Sequence, residues 1–326
     1  MTSKGLRLRR ILAVTDDSYA QVALRSAVAL AEAHGAALEV LACVEPPNDM
    51  GIIARLTRSD RQTLTKHLLD QKRATIRARL KDMFPDRQIE PHIALGKPFL
   101  EIIRKVSETD SDLVVKAADP LSGASRFLYA STDQHLLRKC PCAVWLQMPA
   151  APVTPRRVLA AVDLDSEDVA EPETLTALNR QVVDVARGIA RGPEAQVIVL
   201  HAWDAVGEGV VWAFTSGMDA RLSSDRYVKE VLKSRRQAMN RFIASVEDPN
   251  RPGPPLLPKL IRGAPEQVIE AQSRTLHADL VVMGTVARTG VSGVFIGNTA
   301  ENIINSLGCP VLAVKPDGYV SPVLLN

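Results

Sequence analysis

Short apolar runs alternate with longer amphipathic stretches along the whole chain. The short runs are rich in Val, Ile and Leu, and such runs are typical of strands that are buried on both faces of a parallel sheet. The stretches between them carry apolar residues at helical spacing. The predicted strands are Ile11–Val14, Leu38–Val44, Gln88–Ala94, Leu113–Val115, Ala143–Leu146, Val158–Val162, Gln196–Ala202, Leu257–Ile261, Leu280–Met283 and Val311–Val314.

Strands that alternate with helices predict right-handed crossovers and a doubly wound α/β sheet. The clearest helical pattern follows Ser59-Asp60, a typical N-cap signal, and a similar pattern lies in the second half of the chain. The apolar positions of these two patterns are Leu64, Leu68, Ile76, Leu80 and Phe84, and Val228, Val231, Met239, Phe242 and Val246.

The two halves of the chain align with each other. RRILAVTDD from Arg9 matches RRVLAAVDLD from Arg156, and the triplet Ser59-Asp60-Arg61 matches Ser224-Asp225-Arg226. From Gly96 and Gly263 onward the alignment continues without a gap at a constant offset of 167 positions. Because the offset changes only in predicted loops, where insertions are tolerated, the sequence indicates a duplication.

The duplication predicts two domains, residues 1–149 and residues 155–326. The proline-punctuated stretch between them, residues 148–155, is the linker. Each domain is predicted to contain a five-stranded, mostly parallel sheet that is flanked by helices.

The composition is that of a globular protein. Of 326 residues, 46% are hydrophobic and 4% aromatic, with a formal net charge of +3. So small an excess does not favour nucleic acid as a partner. We expect a cytoplasmic protein, because we find no secretory signal, no apolar run long enough to span a membrane and no disulfide framework.

The segment after the fourth strand of the second half carries the candidate chemistry. Gly284, Gly290 and Gly297 allow backbone N–H groups to approach a phosphate closely. A helix beginning near Asn298 would direct its N-terminal dipole at the same anion. Asn298 and Thr299 can cap that helix or bind phosphate oxygens.

This segment resembles the ATP-binding pattern of the universal stress proteins, in which Gly, two residues, Gly, nine residues and Gly precede Ser or Thr. Gly284 and Gly297 fit the first and third glycines, whereas Ala287 replaces the second and Asn298 replaces the hydroxyl residue. The closing stretch from Asn298 to Pro316 is also similar to the family, and the resemblance covers the whole chain twice.

The resemblance implies a nucleotide, ATP or AMP, with Mg²⁺ as an optional companion. It implies that Gly284, Gly290 and Gly297 hold phosphates and ribose, while Asp163 and the strand end around His201 lie beside the nucleoside. It also implies a pseudo-dimer of the two halves, with a homodimer as a further option. The complete set of predicted nucleotide-binding residues is Asp163, His201, Gly263, Gly284, Thr285, Ala287, Arg288, Gly290, Gly297, Asn298 and Thr299.

The first half departs further from the pattern. Ala117 and Ala130 replace the first and third glycines, Pro120 stands opposite Ala287, and Gly123 alone remains, opposite Gly290. Proline removes a backbone donor and fixes φ. We therefore expect no nucleotide site in this half.

Simpler interpretations stay open. The glycine-rich loop can be a plain connection, and Asp16, Asp17 and Asp163 can cap helices instead of contacting a ribose or Mg²⁺. His201 can have a supporting or core role. Cys140-Pro141-Cys142 lacks the spacing of thioredoxin-like sites, which favours buried structural thiols.

The second half has extra apolar residues at 205–218, including Trp212 and Phe214, which can cover a cleft, form an inter-domain or dimer contact, or bind an apolar ligand. No nucleophile, base and orienting group, metal cluster or acid pair share a predicted site, so we expect a stress-response protein that is not an enzyme. The preferred role is regulation by ATP or AMP. The alternatives are a nucleotide-independent interaction module or acyl binder and, last, a slow ATP hydrolase.

Overall fold

The computed structural model describes residues 8–15, 20–119, 132–165, 172–215, 218–250, 253–285 and 298–324. The strands within these residues are β1 Arg10–Val14, β2 Ala37–Val44, β3 Pro91–Leu95, β4 Leu113–Ala117, β5 Ala143–Gln147, β6 Arg157–Ala161, β7 Gln196–Trp203, β8 Leu256–Arg262, β9 Leu280–Gly284 and β10 Val311–Val314. The helices are α1 Gln21–His34, α2 Met50–Thr57, α3 Arg61–Met83, α4 Pro98–Thr109, α5 Thr132–Lys139, α6 Pro172–Ile189, α7 Glu208–Phe214, α8 Met218–Val246, α9 Pro265–Thr275 and α10 Asn298–Ser306.

The first compact unit combines residues 7–154 with residues 310–326 at the end of the chain. Its strands follow the order β3-β2-β1-β4-β5-β10. The first five are parallel, whereas β10 runs antiparallel to β5, with Leu312 paired to Trp145. The centre of the sheet is fully buried, because Ile11, Leu12 and Ala13 of β1 have no exposed surface.

The second compact unit includes residues 155–290 and the segment that carries α10. Its parallel strands follow the order β8-β7-β6-β9. Helix α6 packs over the sheet with Val182, Val183 and Ala186, which are buried at helical spacing.

The structure confirms the α/β fold with a mostly parallel sheet flanked by helices, and it confirms every predicted strand. The largest difference is at β3, which begins at Pro91, three positions after the predicted start at Gln88. The domain boundaries and the pseudo-dimer stay predictions. None of the helices in the described ranges has the length and apolar character needed to cross a membrane.

The sequence did not predict two short helices, α2 and α7. With eight and seven residues, each is too short to display a helical period. Side-chain contacts fix α7 in the second unit, because Glu208 accepts hydrogen bonds from Ser224 at 2.7 Å and from Arg262 at 2.5 Å.

The matched triplets have different roles. Asp60 caps α3, since its carboxylate accepts the Thr63 backbone N–H at 2.8 Å. Helix α8 instead begins at Met218, so its matched residues lie inside the helix, where the Ser224 hydroxyl contacts α7.

Candidate functional site

The second unit brings several predicted site residues to one edge of its sheet. Strand β6 lies between β7 and β9, and all three are parallel, so their carboxyl ends meet at the same edge. Asp163 follows β6, His201 lies near the end of β7, and Thr285 follows β9 directly.

The backbone of Asp163 is held by Asn179 of α6. The Asn179 side chain accepts the Asp163 N–H at 3.0 Å and donates to the Asp163 carbonyl at 2.5 Å. The Asp163 carboxylate accepts the backbone N–H of Asp165 at 3.1 Å. The turn after β6 therefore has a defined conformation. Its alternative role, capping the following helix, concerns residues 166–171, which lie outside the described residues.

His201 is 1% exposed and contacts the same turn from the buried side. Its Nδ1 lies 3.3 Å from the Val162 carbonyl and 3.4 Å from the Leu164 nitrogen. Its Nε2 lies 3.4 Å from Asp165 Oδ1, and Arg235 Nε of α8 lies 2.8 Å from the same oxygen. A ligand at this edge would therefore meet the turn before it reached the imidazole.

Two glycines of the predicted site are required by local packing. A methyl group added at Gly284 would lie 2.6 Å from Leu178 Cδ2, so glycine allows α6 to pack closely over β9. Gly263 has φ +143° and connects β8 to α9, a backbone conformation that favours glycine. These contacts explain the two glycines without a ligand.

The remaining predicted residues belong to the stretch of sequence from Thr285 to Thr299. The helix begins at Asn298, in agreement with the sequence prediction, and Thr299 lies in its first turn. Thr285 is 1% exposed. Ala287, Arg288, Gly290 and Gly297 lie outside the described residues, as do Asp16 and Asp17 of the first half.

The sequence did not identify Asn179, Asp165 or Arg235. Asn179 left a signal, because it is a polar residue on the otherwise apolar buried face of α6. Arg235 left none, since an arginine in a long, charged helix is more often a solvated residue.

Comparison with known proteins identifies the family. The model of the universal stress protein family matches the chain twice, over residues 7–146 and 155–315. The chain belongs to the universal stress protein family.

Relatives and a solved structure extend over most of this universal stress protein. Universal stress protein E of Salmonella typhi is 30% identical over 275 residues, which covers 83% of this chain and 82% of the relative. Universal stress protein E of Photorhabdus laumondii is 24% identical over 321 residues, 97% of each chain. A functionally unknown protein from Pseudomonas aeruginosa PAO1 has a similar structure, with a TM-score of 0.63 at 25% identity over 95% of this chain and 93% of that one.

In the first universal stress repeat, charged side chains gather at the end of β4. Lys116 is 7% exposed, and its ammonium lies 2.8 Å from Asp133 Oδ1 of α5 and 2.5 Å from Asp119 Oδ1. It also donates to the Ala117 carbonyl at 2.8 Å. The three donors of the ammonium are thus all used.

These charges are strongly coupled. Burial lowers the pKa of Lys116, but attraction to Asp133 and Asp119 outweighs it, so the pKa is raised above its ordinary value. Burial raises the pKa of Asp133, and the attraction of Lys116 opposes this shift. The ammonium therefore offsets the charge of only one of the two carboxylates, and its own charge is fully compensated within the chain.

The apolar insertion of the second repeat is partly on the surface. Trp203 is buried, whereas Val210, Trp212 and Phe214 of α7 are 60%, 50% and 86% exposed. These three side chains therefore form an exposed apolar side of α7, and the choice among its predicted roles stays a prediction.

Proposed function

We propose that the second half of this stress-response protein binds an adenine nucleotide, ATP or AMP, as a regulatory ligand. The observation that carries the proposal is the convergence of Asp163 and Thr285 at the carboxyl edge of β6 and β9. The segment that resembles the family's ATP-binding pattern begins at this edge, with Gly284 at the end of β9.

The described residues fit the nucleoside end of such a ligand. The turn at Asp163 offers a carboxylate that can accept hydrogen bonds from ribose hydroxyls, and Asn179 holds its backbone in place. His201, Asp165 and Arg235 position the turn from the buried side.

The phosphates would be held by the loop and the start of α10, through Gly284, Gly290, Gly297, Asn298 and Thr299. Ala287 and Arg288 lie in the same loop. Mg²⁺ would enter with the phosphates, as it commonly does in nucleotide sites.

The proposed role is regulatory, without turnover. The buried His201 contacts the backbone of its own turn, and its carboxylate neighbour Asp165 is shared with Arg235. This arrangement supports a turn more directly than it supports proton transfer to a ligand. Slow ATP hydrolysis is the least favoured alternative.

Titration calorimetry with nucleotide-stripped protein, ATP and Mg²⁺ tests the proposal. We expect one site of micromolar affinity that Gly297→Arg abolishes. Ala130→Arg is the matched control, because Ala130 holds the same repeat position in the first half, and it should leave binding unchanged. Absence of heat from folded wild-type protein would reject the nucleotide proposal.

A second candidate function is a nucleotide-independent interaction module or acyl binder. The exposed apolar residues Val210, Trp212 and Phe214 favour it, because clustered apolar surface commonly marks an interaction site. Phe214→Asp would then weaken partner or acyl-chain binding, whereas Gly297→Arg would leave it intact.

We further propose a cytoplasmic location and no nucleic-acid partner, in line with the net charge of +3. The intramolecular pseudo-dimer and a further homodimer belong to the same proposal. Sedimentation of the purified chain at several concentrations tests the homodimer.

A further inference from the structure

The amino end of β5 carries two cysteines that the nucleotide proposal does not use. Cys140 follows the last residue of α5, and Cys142 precedes the first residue of β5. Their sulfurs lie 3.7 Å apart. Cys140 is fully buried, whereas Cys142 is partly exposed.

Packing alone does not explain this pair. The second repeat has Leu307 at the position of Cys140, buried to 4% exposure, so an aliphatic side chain fills the same place. Cys142 is matched by Cys309, which has no second cysteine two residues before it. The second thiol is a feature of the first half only.

The C-terminal segment places polar groups beside the pair. The Lys315 ammonium donates to the Leu137 carbonyl, and the Tyr319 hydroxyl donates to the Arg138 carbonyl at 2.5 Å, both in the last turn of α5. Burial lowers the pKa of Lys315 to about 8, and the charge of Cys140 opposes this shift. A buried cation next to a thiol stabilises its thiolate.

The two thiols share a proton unequally. Burial opposes ionisation of Cys140, but the hydrogen bond from Cys142 and the charge of Lys315 lower its pKa overall. The same hydrogen bond raises the pKa of Cys142. The thiolate of the pair therefore forms on Cys140, 3.7 Å from Cys142, the sulfur that solvent can reach.

We propose that Cys140 and Cys142 form a redox-active pair that a hydroperoxide oxidises to an intramolecular disulfide. In the first step the Cys142 sulfur attacks the terminal oxygen of the hydroperoxide while its proton passes to the Cys140 thiolate, the O–O bond breaks, and the departing oxyanion takes that proton from Cys140. In the second step the Cys140 thiolate attacks the Cys142 sulfur, and the S–O bond breaks to release hydroxide, which takes a proton to form water.

With hydrogen peroxide the sum is two thiols and one peroxide giving one disulfide and two waters. The two sulfurs lose two electrons, and the peroxide gains them. Oxidation requires the sulfurs to approach from 3.7 Å to a bond length of about 2 Å.

Peptide mass spectrometry of the full chain tests this pair. Reduced protein is treated with hydrogen peroxide, unfolded in N-ethylmaleimide and digested with trypsin. Cleavage after Lys139 and Arg156 leaves both cysteines in one peptide. We expect this peptide to escape alkylation and to weigh two hydrogens less, and dithiothreitol to restore its doubly alkylated form.

The controls come from the same chain. Cys43 and Cys309 should stay alkylated under the same treatment, since burial raises the pKa of Cys309 to about 11. Cys142→Ser should abolish the disulfide, whereas Cys309→Ser should retain it. A wild-type peptide that remains doubly alkylated, accumulates sulfinic acid or links two chains would overturn the proposal, whatever the variants do.

Discussion

At the end of β4, Lys116 is buried between Asp133 and Asp119, whereas Met283 takes its repeat position at the end of β9. Asp133 is matched by Ala300, and both Met283 and Ala300 are buried. One fold position thus holds a charge cluster in one repeat and apolar side chains in the other.

The difference shows how duplicated domains can diverge at the same edge of their sheets. A cation surrounded by two carboxylates has its hydrogen-bonding needs met within the chain and attracts an added anion weakly. The second repeat has no such cluster among these positions, and its polar groups lie one strand away, in the turn at Asp163. Breaking the cluster, or exchanging it for its counterpart, tests this contrast.

Lys116→Met should have the largest effect on stability. The substitution leaves Asp133 buried without its cation, so we expect the free energy of unfolding to fall by about 3–5 kcal/mol. Urea denaturation of the full chain measures the change. The double variant Lys116→Met/Asp133→Ala installs the apolar residues of the second repeat and should recover most of the loss. A double variant as unstable as the single one would contradict this explanation.

Gly284→Ala should cause the next largest loss of stability. The new methyl group would lie 2.6 Å from Leu178 Cδ2, and relieving this overlap costs about 1–3 kcal/mol. Adding Leu178→Ala should remove part of that overlap, so the two substitutions should be less than additive in a thermodynamic cycle. In the first repeat, Ala117→Gly should cost only about 1 kcal/mol through backbone entropy.

Asp163→Ala should weaken ATP binding by about tenfold, through loss of hydrogen bonds to a charged acceptor. Titration calorimetry measures the affinity, and circular dichroism confirms that the variant is folded. Asp16→Ala, at the matched position, should leave the affinity unchanged. Equal losses in both variants would contradict the assignment of the site to the second half.

Asp60→Ala should show the smallest effect, a loss of about 1 kcal/mol of stability, because Asp60 caps α3. Asp225→Ala, inside α8, should change stability by no more than about 0.5 kcal/mol. Similar losses in the two variants would show that the triplets have the same role after all.

Most strands could be predicted from sequence because they are short runs of β-branched and apolar residues that are buried in the sheet, as in β1, β4 and β9. Their repetition in two halves removed most of the ambiguity. The short helices α2 and α7 could not be predicted in the same way. Helix α7, for example, is held by hydrogen bonds of Glu208 with Ser224 and Arg262, residues that lie far from it in the chain.

The residues of the candidate site also differ in whether local sequence signals could predict them. Asp163 and the start of α10 follow from strand ends and glycines, which are local signals. The Lys116 and Asp133 pair is not local, since each residue alone resembles an ordinary surface charge. Only the fold places the two together in a buried position, and only there does the pair have a large energetic effect.

The antiparallel pairing of β10 with β5 has a consequence for the synthesis of the protein. Chains fold from the N-terminus as they leave the ribosome. The first unit nevertheless needs residues 310–326, which are translated after almost all of the second repeat. Until they emerge, the edge of β5 has no strand to pair with, and an open edge of this kind can recruit another chain. The unit that begins to form first is therefore completed only after the second repeat has been translated.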